Sequence, residues 1–261
     1  MLAMSDPLIF DRGAVRRHRD RAAATLEPVA PVLRDCAERL LDRLDDVKRP
    51  FAQALDLGGR GIVAPLLRAR GIAVVSADLS PRMAALSGTP CVAADEEWLP
   101  FASESFDLVV ASLSLHWVND LPGALIQIRR TLKPDGLFLA SLPALGTLGE
   151  LRTALTAAEA TLTGGASPRI SPFPELRDLA GLLQRANFAL PVTDVEEIVL
   201  RYADPLALLR DLRSAGEGNA IRLRTRDTPR PALFGQALAG LPIADNRITA
   251  TLRLATMTGW A

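Results

Sequence analysis

Apolar and polar positions fall into a repeating order along the first half of the chain. Ala54 and Leu55 open a short apolar run that Asp56 closes, and Ile62, Val63, Leu66 and Leu67 then recur at helical spacing until Gly71. A second apolar run from Ile72 to Ala77 ends in Asp78, and Ser80-Pro81 has the polar-then-proline form of a helix start. Pro90 to Ala94 reads as a third strand, running into Asp95-Glu96-Glu97-Trp98. Phe106 to Leu113, FDLVVASL, is nearly unbroken apolar sequence, as in a central parallel strand covered on both faces. Asn119 or Asp120 with Pro122 starts a helix through Leu132, and Lys133-Pro134-Asp135-Gly136 turns the chain into a fifth strand, Leu137 to Leu142. Strand and helix alternating in this way predict an α/β fold built on a parallel sheet.

The flanks follow other patterns. Residues 5–24 carry Arg12, Arg16, Arg17, Arg19 and Arg21 among alanines, with few apolar anchors. That segment reads either as a solvated basic helix or as a cap that closes a cofactor pocket, with His18 an ordinary member of it. Residues 31–45 place Val32, Leu33, Cys36, Leu40, Leu41 and Leu44 on one helical face, which should pack on the sheet. After Pro143 the rhythm breaks into a helix at Leu148 to Leu162, a proline-rich loop and a helix at Leu176 to Arg185, together read as a lid over residues 146–190. A strand at Val192 to Tyr202, a helix at Pro205 to Leu212 and a glycine- and arginine-rich stretch, Gly216 to Arg230, follow. The alternation from Ile248 to Met257 suits an edge or antiparallel strand. The expected organisation is one domain: a helical cap at 1–47, a core at 48–145, the lid, and a C-terminal part at 191–261.

Composition narrows the class. The chain has 261 residues, enough to bury a large core, and 30 basic residues balance 30 acidic ones. Neither nucleic acid nor an anionic membrane is an expected partner. No apolar run reaches the roughly twenty residues that span a bilayer, and no signal-peptide core is seen. Cys36 and Cys91 are isolated thiols without a CxxC pair, so a reduced, cytoplasmic protein without a zinc ribbon is expected.

The chemistry gathers where strands end. Bare Gly58, Gly59 and Gly61 let backbone amides and a helix start approach an anionic group directly. Asp78 lies about twenty residues beyond that turn, the spacing at which an acid binds ribose hydroxyls, although it could also serve only as a turn former. Ligands of open parallel sheets lie outside the carboxyl ends of the strands, so Asp56, Asp78 and Asp95 point to one crevice. His116, just past the FDLVVASL strand, is the candidate catalytic residue: a base, an orienter, a stacking ring or simply a capping histidine. With only His116 expected near the crevice, no two-histidine iron site is read and no metal is expected.

The glycine turn, the acid after the second strand, ADEEWLPF, FDLVVASLSLHWVND and LKPDG together resemble class I S-adenosylmethionine-dependent methyltransferases of the type-11 kind. ADEEWLPF, SLSLHWVNDLP, LKPDG, GTLGELR, ISPF, the N-terminal FDR and the closing GW resemble most closely the mitochondrial complex I assembly factor branch, itself related to malonyl-acyl-carrier-protein methyltransferases. The resemblance implies a seven-stranded Rossmann-like sheet with its last strand antiparallel and S-adenosylmethionine as cofactor. It implies cofactor contacts at Asp56, Gly58, Gly59, Gly61, Asp78, Leu79, Asp95, Glu96 and Ser112, with Asp78 on the ribose and Asp95 near the adenine. The implied acceptor is a protein such as a respiratory complex I subunit, an acyl-carrier-bound acid or a small acid. Protein arginine hydroxylation, and a non-catalytic assembly role, are the alternatives. DLGGRG is one residue shorter than the usual DLGxGxG, so a tighter loop is expected. Arg12 to Arg21 and Arg222 to Arg230 are read either as a basic rim that would steer an acidic partner, or as arginines solvated or paired with carboxylates.

Overall fold

The computed structural model describes residues 8–225 and 231–261; Arg226 and Arg230 of the expected rim, and residues 5–7 of the basic segment, lie outside them. Two helices open the chain, α1 (Arg12–Ala22) and α2 (Ala30–Leu41). The alternating core follows as β1 (Gln53–Leu57), α3 (Val63–Ala69), β2 (Ala73–Asp78), α4 (Pro81–Leu86), β3 (Cys91–Ala93), β4 (Phe106–Ser112), α5 (Leu121–Thr131) and β5 (Leu132–Pro143). The remainder is α6 (Gly149–Thr163), α7 (Leu176–Arg185), β6 (Ala189–Tyr202), α8 (Pro205–Ser214), α9 (Pro231–Ala239), β7 (Ile243–Ala244) and β8 (Arg247–Trp260).

The strands form one sheet in the order β3-β2-β1-β4-β5-β8-β6, with the two-residue β7 beside β8. The first five are parallel, and β8 runs antiparallel to both β5 and β6. The expected antiparallel last strand is present. Of the two alternatives for Ile248 to Met257, an edge or an antiparallel strand, the second holds: Ala250, Leu254, Ala255 and Met257 are buried and β6 covers the outer side. Every residue of β4 is buried, as its apolar run requires.

Helices cover both faces. On one, Leu33, Cys36, Leu40 and Leu41 of α2 and Val63, Ala64 and Leu67 of α3 pack over Ala54, Leu108, Val110, Leu137 and Leu139. On the other, Leu125 and Ile128 of α5 join Leu179 and Leu183 of α7 over Val109, Phe138, Ala140 and Met257. Both helices of the segment read as a lid touch the sheet: α7 buries its leucines under the central strands, and α6 lies against β8, where Glu150 accepts from Thr251 N at 3.3 Å. With α8 and α9 that helix forms a small cluster on β8, in which Leu151, Leu155, Leu208, Leu233 and Ala237 meet Ile248 and Ala250. Helix α9 has no counterpart in the sequence pattern, its alanine-rich stripe being only nine residues long. Among the described residues, no helix is long and apolar enough to cross a membrane.

Candidate active site

The acids stand at the carboxyl ends of β1, β2 and β3, as the sequence pattern requires, but they are staggered. Asp56 pairs in register with Ser76, two residues before Asp78, and Asp78 pairs with Ala93, two before Asp95. The period of two keeps Asp56, Ser76 and Asp78 on one face, where Ser76 Oγ donates to Asp56 Oδ2 at 3.3 Å. Asp56 is fully buried, and burial reinforced by the charge of Asp78 pushes its carboxyl up to about 7. Asp78 Oδ1 accepts from Ser80 N at 2.8 Å and Oδ2 from Arg19 Nη1 at 2.8 Å. Burial raises its pKa against the opposing pull of Arg19.

The turn leaves no room for side chains at its glycines. Gly58 and Gly61 have φ of +74° and +73°. A Cβ on Gly58 would lie 2.5 Å from Ser114 Cβ, and one on Gly61 only 3.0 Å from the backbone of Leu86. At Gly59 an added Cβ would fall 2.1 Å from Asp56 Oδ1, so the three glycines make the cradle possible. Between them Arg60, at φ +53°, turns its buried guanidinium into the site.

Helix α1 closes the crevice. Asp11 caps it, accepting from Ala14 N at 2.9 Å, and Phe10 pins its entry, edge-on to Trp117 at 5.2 Å between ring centroids and held by Asn119 Oδ1 at 2.7 Å. Of its arginines, Arg19 is buried between Asp78 and Glu96, the latter 3.6 Å away, while Arg12 binds Asp95 at 2.5 Å and also Glu96. Arg16 pairs with Asp20 and Arg17 with Asp11, as does Arg224 from the C-terminal part. Of the two readings of these arginines, pairing with carboxylates is the one seen: Arg12 and Arg19 face inward onto acids, Arg16 lies by Asp20, and Arg17 and Arg224 share the single carboxylate of Asp11.

Of the other expected site residues, Glu96 is buried in this cluster, and Leu79 packs against the Phe10–Trp117 group. Ser112 turns its Oγ toward Ser141 Oγ at 3.4 Å, with Arg60 Nη1 3.5 Å from its carbonyl oxygen. His116 sits on a single 3₁₀ turn, Leu115–Trp117, beyond β4. Its Nε2 is 2.8 Å from Glu217 Oε2, which also accepts from Trp117 Nε1 at 2.7 Å, while Arg60 binds the other carboxylate oxygen. Burial would raise the Glu217 carboxyl, but His116 and Arg60 outweigh it and hold it at about 2.

Beyond His116 opens a cavity of about 580 Å³, mostly apolar, walled by Trp117, Leu148, Leu151, Phe173 and Tyr202. His18, expected to be ordinary, reaches the same wall because α1 crosses the crevice, and its Nδ1 lies 3.1 Å from Gly218 O. Glu217, Arg19 and Arg60 were not singled out from sequence. The one local signal for Glu217 is its place in Gly216-Glu217-Gly218, where Gly216 has φ +81° and a Cβ on Gly218 would lie 2.8 Å from His18 Nδ1.

Residues 55–140 match the methyltransferase domain family. The chain is 40% identical over 97% of its length to the protein named mitochondrial arginine-hydroxylase NDUFAF5 of Homo sapiens, covering 76% of that protein. It belongs to the S-adenosylmethionine-dependent methyltransferase family. Another relative, a malonyl-[acyl-carrier protein] O-methyltransferase of Laribacter hongkongensis, is 37% identical over 85% of this chain and 80% of its own. The fold is also that of a SAM-dependent methyltransferase of Thermotoga maritima, with a TM-score of 0.53 at 16% identity over 94% of this chain and 98% of that one.

As a member of this methyltransferase family the chain takes S-adenosylmethionine as cofactor, and the crevice fits that group in kind. Asp56 Oδ1, Glu96 Oε1, Arg60 Nε, His116 Nδ1 and two nitrogens of Arg19 are buried there without a hydrogen-bond partner, and most of the other such atoms lie elsewhere in the chain. Buried polar atoms are normally satisfied, so this concentration marks a place built for a polar ligand.

Proposed function

We propose that the chain transfers a methyl group from S-adenosylmethionine to an acceptor carried on a protein or an acyl carrier protein, seated in the cavity beside His116. The observation that carries this reading is that a buried polar cluster, Asp56, Asp78 and Glu96, lies beside an apolar cavity of about 580 Å³, the two linked by Arg60, which binds Glu217 on the cavity wall. The names of the two kinds of relative, an arginine-hydroxylase and a malonyl-[acyl-carrier protein] methyltransferase, support a macromolecular carrier of the acceptor. A complex I subunit and an acyl carrier protein are the two carriers to test.

In this reading the glycine cradle and Asp56 hold the methionine end of the cofactor, while Asp78, Leu79, Asp95 and Glu96 hold the nucleoside. The cofactor supplies an electrophilic methyl group on a sulfonium. The protein aligns the acceptor with it and excludes water, which is where most of the rate enhancement of such a displacement arises. The apolar walls Leu148, Leu151 and Phe173 provide that exclusion, and Trp117 positions the ring of His116, 5.3 Å away between centroids.

Intact-mass analysis of candidate carriers from a strain lacking the chain, before and after incubation with purified protein and cofactor, tests the reading. A gain of one CH₂ is expected. A gain of one oxygen would replace methyl transfer by hydroxylation, and cofactor binding without any change in either carrier would leave a binding protein.

A further inference from the structure

Glu217 reaches the site from the loop after α8, 101 residues from His116 in sequence, and receives donors from three directions: His116 Nε2 at 2.8 Å, Trp117 Nε1 at 2.7 Å and the Arg60 guanidinium. The indole and the guanidinium can only donate, and an ionised carboxylate can only accept. In the neutral form that a base requires, an imidazole facing that carboxylate through Nε2 carries its proton on Nε2, which leaves the Nδ1 lone pair free. Nδ1 is buried and without a partner, on a ring that lines the cavity beside Phe173, 6.3 Å away between centroids. An unpaired acceptor nitrogen in that position calls for a donor on the ligand. A carboxylate has none to give, and it would meet lone pair with lone pair next to the charge of Glu217.

We propose that Glu217 is a positioning residue that fixes His116 as the base of the reaction, and that the acceptor is an N–H or O–H group and not a carboxylate. This rests on the methyl-transfer reading and narrows its substrate class. As the bond from the acceptor nitrogen or oxygen to the methyl carbon forms, the sulfur–methyl bond breaks with its electron pair remaining on sulfur, giving S-adenosylhomocysteine. The acceptor's proton passes to His116 Nδ1, and the resulting imidazolium is balanced by Glu217 until it returns the proton to water. Arg60 links the pair to the cofactor loop, so the base is held by the same turn that cradles the donor.

The chain has only two histidines, so ¹⁵N-histidine labelling gives two imidazole spin systems, and His18→Gln assigns them. At about pH 8.5, where imidazole is ordinarily neutral, His116 should show a protonated Nε2 and a bare Nδ1, and Glu217→Ala should turn this into a tautomer mixture. A proton on Nδ1 in the parent protein, or an unchanged tautomer in the variant, overturns the positioning role; should the variant not fold, the parent spectrum alone decides. The acceptor class is read with methyl-labelled cofactor and an extract of a strain lacking the chain. Label stable to mild alkali is expected, with Glu217→Ala lowering kcat at saturating cofactor by about 10²-fold or more. Label released as methanol marks a methyl ester and overturns the acceptor class. Failure of the parent protein to transfer any label sinks the methyl-transfer reading instead, while the tautomer measurement still judges Glu217.

Discussion

At the scale of single residues, Asp56 and Asp78 are two buried acids with different tasks. Asp78 is satisfied in the described fold by Arg19 and Ser80, so its side chain serves stability and ligand together. Replacing it by Asn should weaken S-adenosylmethionine binding by about 1.5–3 kcal/mol, the value of charged hydrogen bonds to ribose hydroxyls, as read by calorimetric titration. Unchanged affinity would reduce Asp78 to a partner for Arg19. Asp56 makes a prediction about pH. Burial, then the Asp78 charge, lifts its carboxyl to about 7, above the unfolded value of about 3.9. The folded chain thus binds that proton more tightly, so the contribution to stability is complete below about pH 4 and is lost as pH rises through about 7. Asp56→Asn lacks this slope. Its melting temperature relative to the parent should climb between about pH 5 and about pH 8, and parallel curves would show that Asp56 does not hold the proton. Both acids were legible in sequence because each closes a strand, a local pattern. Glu217 was not, since the groups that give it meaning, Arg60 and His116, are 157 and 101 residues away.

Among the elements, α1 shows most clearly what pattern alone leaves open. Its alternation of arginine and alanine fits a solvated helix as well as a cap, because a helical wheel does not say which arginines find buried carboxylates. Arg19 does, and it takes the carboxylate expected to receive the cofactor's ribose. An arginine between two buried acids cannot be removed lightly: Arg19→Met leaves Asp78 and Glu96 facing each other, and should destabilise the cofactor-free chain by about 3–5 kcal/mol. The same substitution removes the competitor for Asp78. Saturating S-adenosylmethionine should therefore raise the melting temperature of the variant by more than it raises that of the parent. Equal shifts would mean that the cofactor and Arg19 do not share that carboxylate. The glycine turn, by contrast, was readable as an element, since bare positions next to a strand end have few other uses; what its sequence hid is that Arg60, within it, reaches Glu217.

On the scale of the whole molecule, the parallel half of the sheet was legible because its strands announce themselves by unbroken apolar runs. The C-terminal third was less so, because β8 is amphipathic yet lies between β5 and β6, and α9 is a short alanine-rich helix. The same contrast sets a hierarchy of stability. The sheet carries two continuous apolar layers, whereas α6, α8 and α9 share one small cluster and wall the cavity. Segments with few buried apolar contacts open at lower free energy than a core, so amides of α6, α8 and α9 should exchange hydrogen well before those of β1, β4 and β5. The loop carrying Glu217 joins this group to the glycine turn through Arg60 and to β4 through His116. Hydrogen-exchange mass spectrometry with and without S-adenosylmethionine should accordingly show slowed exchange in α8 as well as at the crevice, and Glu217→Ala should confine the protection to the crevice. Protection of α8 that survives the substitution would show that the cavity wall closes by packing alone, without the carboxylate that links it to the cofactor turn.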